Sequence, residues 1–324
     1  MQKKKFISLI HKWHQQNKGS FNFPWRKTRD PYAILVSEIM LQQTQISRVI
    51  PKYEEWLEKF PMLESLANAP FLKILKVWQG MGYNRRARYL KNAATEILEK
   101  YNGQVPKDPE ILETLPGIGQ YSARAITCFA HGKCEPFLET NIRRVLIYFF
   151  GSSPHLSFIA RPVRIRNSNG ASNAKQSRHG EIAASSDFGR MTRNDRLEEK
   201  ISDKELLQIL SRIEPKTKKR DWYYALMDYG REVLGKMVDN PNTRAKNYRI
   251  QSKFLGSRRY VRAKIISYLL SKQKGISEKW LCVLLSDDSN AKLFLDSKIF
   301  FEILKDLERD QLIMKKAGRW QIVQ

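Results

Sequence analysis

The sequence LPGIGQYSARAI, which runs from Leu115 to Ile126, decides the fold. A Pro-Gly-x-Gly turn separates a short helical pattern from a second helix that is predicted to begin near Gln120. Glycine lets the backbone approach a partner closely, and the free N–H groups at a helix start favour an anion. We therefore predict a helical hairpin that grips a DNA phosphate through Leu115, Gly117, Gly119 and Gln120. Taken alone, the same turn is also compatible with a tight hairpin that binds nothing.

The charge balance supports a partner rich in phosphate. The 324 residues include 58 Lys and Arg against 33 Asp and Glu, a net charge of +25 at pH 7, and are 42% hydrophobic. Such a chain can bury the cores of two or three units, and its positive charge is typical of nucleic-acid-binding proteins. A basic protein without such a partner is the alternative interpretation. No run approaches the roughly 20 apolar residues of a membrane span, and no targeting signal is evident. We expect a cytoplasmic monomer.

The cysteine pattern argues against a metal site. The chain has only Cys128, Cys134 and Cys282, which lack the paired spacing of zinc ligands. We therefore predict neither a bound metal nor a disulfide framework, and we expect a reducing compartment.

The organisation is predicted to be mostly helical, with two domains. Helix starts are expected at Asp30-Pro31 and Asp108-Pro109, where a capping side chain precedes a proline, and at the capping box that begins with Ser202. Residues 151–199 are poor in large apolar side chains, which predicts a disordered insertion in a domain spanning residues 1–240. Three helical patterns and a terminal hairpin in residues 241–324 predict a small winged-helix-like α+β unit, which either contacts DNA or packs as a scaffold.

Two glutamates are candidates for chemistry. Ile34, Leu35 and Ile39 form an apolar stripe on one helix face that Glu38 and Gln42 interrupt. A carboxyl group on a buried face must be paired or protonated. Glu139 precedes a helix whose N–H groups favour its anion. An acid and an anion together can cleave a glycosidic bond. The alternatives are a solvated Glu38 and a Glu139 that only caps its helix.

Several long motifs, in order, resemble the helix-hairpin-helix DNA glycosylases. WRKTRDPYAILVSEIMLQQTQ (residues 25–45) and WQGMGYNRRARYL (residues 78–90) are similar to the adenine glycosylases of the MutY type. The resemblance implies the helix-hairpin-helix glycosylase fold and double-stranded DNA with a mismatched or damaged base pair as partner. It makes Glu38 the acid that protonates a flipped-out adenine. Tyr121 occupies the hairpin position of the Schiff-base lysine of bifunctional relatives, so the enzyme should leave an abasic site.

The resemblance also assigns binding residues. Gln42 and Tyr83 match residues that enter the DNA around the target, Arg86 belongs to a run of predicted phosphate contacts, and Trp25 with Arg26 match the neighbourhood of the base pocket. Core aromatic roles for Trp25 and Tyr83, and a solvated basic face for the arginines, are the alternatives.

Three departures from the family pattern affect these expectations. Glu139 stands where the family has aspartate, although Asn141 matches a family asparagine, and a displacement of roughly 1 Å can slow catalysis about a hundredfold. Leu234 stands at the first cysteine of the family's iron-sulfur cluster, so we predict that no cluster is bound. The C-terminal part differs from the domain by which adenine glycosylases recognise 8-oxoguanine.

The sequence therefore predicts a glycosylase that removes adenine mispaired with guanine or 8-oxoguanine. A thymine glycosylase acting on G:T mismatches is one alternative. A catalytically silent protein that binds mismatched DNA is another, from a different class.

Overall fold

A computed structural model describes residues 3–151, 200–272 and 274–324 of the chain. Except for Gly151, the predicted insertion at residues 151–199 lies outside the described residues. In these ranges the α-helices are α1 (Lys3–Asn17), α2 (Pro31–Leu41), α3 (Ile46–Lys59), α4 (Leu63–Ala67), α5 (Phe71–Trp78), α6 (Arg85–Tyr101), α7 (Pro109–Thr114), α8 (Gln120–His131), α9 (Thr140–Phe150), α10 (Asp203–Ile213), α11 (Lys219–Glu232), α12 (Arg258–Ser271), α13 (Glu278–Ser286) and α14 (Ser297–Arg309). The strands are β1 (Ile276–Ser277), β2 (Ile313–Lys316) and β3 (Arg319–Ile322), and the short 3₁₀ helices are Lys18–Phe21, Pro24–Arg26, Leu234–Lys236, Pro241–Arg244 and Lys292–Phe294. The predicted mostly helical fold is confirmed.

Capping side chains fix the predicted helix starts. The Asp30 carboxylate accepts hydrogen bonds from two backbone N–H groups of α2, and Asp108 accepts one from α7. Ser202 and Glu205 form a reciprocal capping box at the start of α10. Each cap satisfies N–H groups that have no partner within the helix. The three predicted starts are confirmed.

The described residues form two compact units. The first comprises the described residues within Met1–Asn22 and Gly132–Arg249. Its core brings α1 against α9 and α11, where the Phe6 ring meets Phe149, Phe150 and Trp222 edge-on at centroid distances of 5.1, 5.1 and 5.6 Å. Buried aromatic rings of this size supply much of the apolar area that stabilises a small helical unit.

The second unit comprises Phe23–His131 and Ile250–Gln324. Helix α2 lies at its centre, and every residue from Tyr32 to Met40 is buried. The expectation of one apolar stripe was therefore too narrow, because α2 is enclosed on all sides. In addition, Gln42 lies just beyond the helix, which ends at Leu41.

The C-terminal part of the second unit has the winged-helix order α12, β1, α13, α14, β2, β3. Its antiparallel sheet has the strand order β1-β3-β2, in which Ile276 pairs with Trp320 and Ile313 pairs with Ile322. The β2–β3 hairpin turns at Ala317 and Gly318, both with positive φ. The predicted winged-helix-like unit is confirmed, whereas the domain boundary near residue 240 stays a prediction.

The cysteines differ from expectation. Cys128 and Cys134 are disulfide-bonded, and Cys282 is a free thiol. The sequence predicted no disulfide framework and did not indicate this disulfide, because pairing depends on how the chain folds back between two residues, which a test for metal spacings does not address. Among the described residues, every helix is too short or too polar to pass through a lipid bilayer.

Candidate active site

Glu38 lies in the core of the second unit. Its side chain on α2 is only 3% exposed, among neighbours that are almost all apolar. The Tyr121 hydroxyl, in the first turn of α8, donates a hydrogen bond of 3.0 Å to Glu38 Oε2. A buried carboxyl group is costly unless it is paired, so this contact both satisfies and orients it. The structure thus joins two predicted catalytic residues that are 83 positions apart in the sequence.

The predicted hairpin consists of α7, the turn at residues 115–119 and α8. Gly117 has a φ of +78°, and a Cβ added there would lie 2.6 Å from Cβ of Tyr89. Gly119 has open space at the same position. The turn therefore requires glycine at Gly117, because a side chain there would be strained and would collide. Leu115 is buried in the core, whereas Gln120 is exposed at the start of α8.

Gln42 connects the end of α2 to this hairpin. Its side-chain amide donates to the Gly117 carbonyl and to Ser122 Oγ, both at 3.3 Å. These bonds hold the helix that carries Glu38 next to the helix that carries Tyr121. The predicted DNA contact of Gln42 stays a prediction, while its contact with the hairpin is a feature that the sequence did not indicate.

Arg86 occupies a different position from the predicted surface contact. It is 7% exposed, and its guanidinium donates to the carbonyls of Ile39 and Met40, both at 2.9 Å, and of Gln42 at 2.5 Å. It also donates to Thr44 Oγ1 at 2.8 Å and, at 3.3 Å, to the carbonyls of residues 81 and 82.

These bonds satisfy carbonyls that lack partners at the end of α2. Burial lowers the pKa of Arg86 to about 10, which leaves it charged at neutral pH. The guanidinium therefore clamps two turns together. Its neighbour Arg88 is also 7% exposed and lies 3.4 Å from the centre of the Phe71 ring, so neither side chain belongs to a solvated face.

The other predicted binding residues of this unit occupy distinct environments. Trp25 is 4% exposed, stacks on Phe23 at 5.4 Å and meets Tyr53 edge-on at 5.6 Å. It is a core aromatic residue in this structure. Arg26 is half-buried, with its guanidinium 4.9 Å from the centre of the Phe23 ring. Tyr83 is half-buried in a turn with a φ of +47°.

Glu139 caps α9 in the first unit. Its Oε1 accepts from the backbone N–H groups of Asn141 at 2.6 Å and Ile142 at 2.7 Å, and its Oε2 accepts from Asn141 Nδ2 at 3.1 Å. Burial raises the pKa of Glu139, although the two backbone donors, Arg144 and Arg143 act in the opposite direction. Desolvation of the Glu139 carboxylate thus outweighs the stabilisation that the N–H groups at the start of α9 give to its anion, and the sequence indicated only the second effect.

Arg144 extends the network around Glu139, and the sequence did not single it out. Its Nη1 donates to Asn141 Oδ1 and to the Gly230 carbonyl, both at 2.8 Å. Arg144 lies one helical turn after Asn141, a spacing that could have indicated the pair. A Cβ at Gly230 would lie 2.3 Å from the Asn141 carbonyl oxygen, so glycine allows α11 to pack closely on α9.

The side chains in the described parts of the chain do not form a metal-binding site. No group of three or more His, Cys, Asp or Glu residues there is arranged to hold a metal ion. Leu234, which matches a cluster cysteine of the family, is an apolar side chain that is 1% exposed. Because Cys128 and Cys134 are already disulfide-bonded, these residues do not fit a cluster held by four thiolates.

Sequence comparisons agree with the predicted resemblance. Residues 36–157 match the model of the HhH-GPD superfamily base excision DNA repair proteins. The adenine DNA glycosylase of Mycobacterium tuberculosis (strain CDC 1551 / Oshkosh) is 43% identical over 135 residues, which cover 41% of this chain and 44% of that protein. The thymine/uracil-DNA glycosylase of Pyrobaculum aerophilum is 38% identical over 148 residues, which cover 45% of this chain and 64% of that protein. The matched region thus spans less than two thirds of either relative.

A solved structure supports the same fold. The structure of a thermostable thymine-DNA glycosylase superposes with a TM-score of 0.54 at 26% identity, covering 75% of this chain and 92% of that one. The matched region contains Glu38, the hairpin and Glu139. The similarity of this chain to the HhH-GPD superfamily of base excision DNA repair proteins therefore lies in residues 36–157.

Proposed function

We propose that the protein is a DNA glycosylase that hydrolyses the N-glycosidic bond of adenine mispaired with guanine or 8-oxoguanine. The observation that carries this proposal is the buried Glu38 carboxyl group bonded to Tyr121 beside the hairpin. The names of several relatives, which are adenine DNA glycosylases, support adenine as the base removed.

Glu38 acts as the general acid. Protonation of a ring nitrogen makes adenine a better leaving group, and a carboxyl group held away from water is suited to deliver that proton. The Tyr121 hydroxyl donates to Oε2 and thereby fixes the orientation of the carboxyl group. A phenol has no amine with which to form a Schiff base, so the enzyme leaves an abasic site and does not cleave the strand by that route.

Glu139 stabilises the positive charge that develops on the sugar. An oxocarbenium-like sugar needs an anion nearby, and the two backbone N–H donors hold Glu139 Oε1 in a fixed position. Because burial raises its pKa, the useful anionic form is lost at a higher pH than for an ordinary glutamate. Activity should therefore decline in mildly acidic buffer.

Double-stranded DNA with a mismatched or damaged base pair is the proposed partner. The net charge of +25 and the exposed start of α8 at Gln120 support contact with phosphate groups. No cofactor enters the proposed reaction, and we infer that no iron-sulfur cluster is bound. A monomeric state and a cytoplasmic location stay predictions from the sequence.

Removal of thymine opposite guanine is the second candidate. It is favoured by the relative named thymine/uracil-DNA glycosylase and by the superposition on a thymine-DNA glycosylase. Glu38 and Tyr121 are compatible with either base, so the described residues do not choose between them.

The experiment that tests the proposed acid compares the parent with Glu38→Gln. Glutamine keeps the size of the side chain but has no acidic proton, so excision should fall by at least about a hundredfold while DNA affinity is retained. Glu113→Gln is a suitable control, because Glu113 pairs with Arg124 between the two helices of the hairpin. Excision by Glu38→Gln at the parent rate would rule out the mechanism.

A further inference from the structure

A basic segment without acidic residues surrounds the start of the C-terminal part of the second unit, which begins at Ile250. Between Asp239 and Glu278 the sequence has ten Lys or Arg residues and no Asp or Glu. Within it, residues 250–257 have no regular secondary structure and lead into α12. We call residues 250–257 the connecting segment. Lys253 is its one basic residue, and Arg249, Arg258 and Arg259 flank it in the sequence, so this part of the chain is attractive to a polyanion.

The connecting segment and the first turn of α12 bond to a turn that follows α5. The Gln251 side-chain amide and Arg259 Nη1 both donate to the Tyr83 hydroxyl. Gln251 Nε2 also donates to Gln43 Oε1 at 3.3 Å, and Arg259 Nη2 donates to the Ser252 carbonyl at 2.7 Å. The Gln251 side chain thus joins the turn after α2 to the turn after α5, and Arg259 bonds to the second of these turns.

Both joined turns contain backbone conformations that L-residues rarely adopt. Gln43 has a φ of 54° and Tyr83 a φ of 47°, and the second turn also contains Gly80 and Gly82 with positive φ. Such strain is of the order of 1–3 kcal/mol per residue, persists only where surrounding contacts impose it and concentrates at functional sites. The Arg86 clamp imposes it from the core, since its guanidinium bonds to carbonyls of both turns. Gln251 and Arg259 impose it from the exposed side.

The connecting segment also presents side chains suited to a nucleic acid. Ile250, Phe254 and Leu255 are 84, 48 and 62% exposed, and Lys253 is exposed beside them. Exposed apolar groups next to a cation match the bases or sugars and the phosphates of DNA. Arg258, at the start of α12, already has acidic partners, because its guanidinium forms ion pairs with Glu302 and Asp306 on α14.

We propose that the connecting segment is part of the DNA interface: Lys253 binds a backbone phosphate, and Gln251 with Arg259 holds the Gln43 and Tyr83 turns in their DNA-binding shape. This inference rests on the proposed function insofar as its ligand is duplex DNA. It gives the C-terminal part a role in positioning, since Arg259 acts through Tyr83.

The phosphate contact is tested by the salt dependence of DNA affinity. Lys253→Ala should lose one phosphate contact, which makes the negative slope of log affinity against log salt shallower by about 0.9. Arg258→Ala is the matched control, because its guanidinium is paired with carboxylates, and its slope should equal that of the parent. Fluorescence anisotropy with a labelled mismatched duplex measures both slopes. An unchanged slope in Lys253→Ala, or an equal decrease in Arg258→Ala, would overturn the proposal.

The positioning role is tested by a double-mutant cycle between Tyr83→Phe and Arg259→Ala. If the two side chains act through their shared hydrogen bond, the double variant should bind mismatched duplex as weakly as the weaker single variant. Independent, multiplicative losses would refute the coupling. Arg259→Lys, which keeps a donor, should restore part of the affinity. If Arg259→Ala unfolds, Gln251→Ala replaces it, because Gln251 is exposed.

Because these readouts are affinities, they remain informative if the parent excises no base. Failure of excision with coupled binding would count against the proposed function alone. Loss of coupling in a protein that excises adenine would count against the connecting segment alone.

Discussion

Replacement of Arg86 distinguishes a structural clamp from a phosphate contact. Its guanidinium makes six hydrogen bonds, three through Nη1 and three through Nη2. Arg86→Ala leaves the buried carbonyls of Ile39 and Met40 without a donor, at about 1–3 kcal/mol each. Relief of the desolvated charge offsets part of the loss. We expect the unfolding free energy to fall by about 2–5 kcal/mol, the combined cost of the two unsatisfied carbonyls less this relief.

The assay is urea unfolding followed by tryptophan fluorescence, combined with DNA affinity at several salt concentrations. Arg85→Ala is the matched control, because Arg85 is 56% exposed and lies 3.6 Å from Asp310, a surface pair worth about 0–1 kcal/mol. If Arg86→Ala unfolds like the parent but its negative slope of log affinity against log salt is shallower by about 0.9, Arg86 binds a phosphate. That result would refute the clamp.

Three further predictions follow from the site. Gly117→Ala should lower the unfolding free energy by about 2 kcal/mol or more, because Gly117 has a positive φ and the added Cβ would lie 2.6 Å from a tyrosine carbon. Gly119→Ala should be nearly neutral, since the added Cβ would lie in open space. Equal effects of the two substitutions in thermal unfolding would contradict the turn geometry. Tyr121→Phe removes the hydroxyl bonded to Glu38 and should slow single-turnover excision about tenfold with unchanged DNA affinity, and a parent rate would show that the bond has no catalytic role. Burial raises the pKa of Glu139 above its ordinary value of 4.5, and the stability that this shift contributes is present below pH 4.5 and is lost as pH rises through the raised pKa. Glu139→Gln should therefore flatten the decline of the unfolding free energy with pH across this window in urea unfolding. Parallel pH profiles of the parent and the variant would count against the shift.

Local patterns in the sequence were sufficient for the helix starts, the hairpin and the two glutamates. Asp30 and Asp108 act on N–H groups only two or three residues away, so spacing alone identifies them. The hairpin glycines are equally local. Glu38 could be placed on a buried face because its apolar neighbours follow the helical period.

Long-range polar contacts could not be predicted in this way. Arg86 and Arg88 stand in a basic run that is usually solvated, yet both lie in the core. One signal was present, because Arg86 lies four residues before the buried Leu90 and therefore on the same face of α6. The carbonyls of Ile39, Met40 and Gln42 that accept its hydrogen bonds, however, are more than 40 positions away in the sequence. The bonds from Gln251 and Arg259 to Tyr83 span 168 and 176 positions, and no local pattern indicates them.

Excision of adenine with Glu38 as the acid is the central claim, and a single-turnover comparison of three duplexes tests it most directly. The duplexes contain adenine opposite 8-oxoguanine, adenine opposite guanine, and thymine opposite guanine, and alkali then breaks the strand at abasic sites. Product is expected from the adenine duplexes with the parent protein and none is expected with Glu38→Gln. Product from thymine alone, or tight binding without product from any duplex, would contradict it.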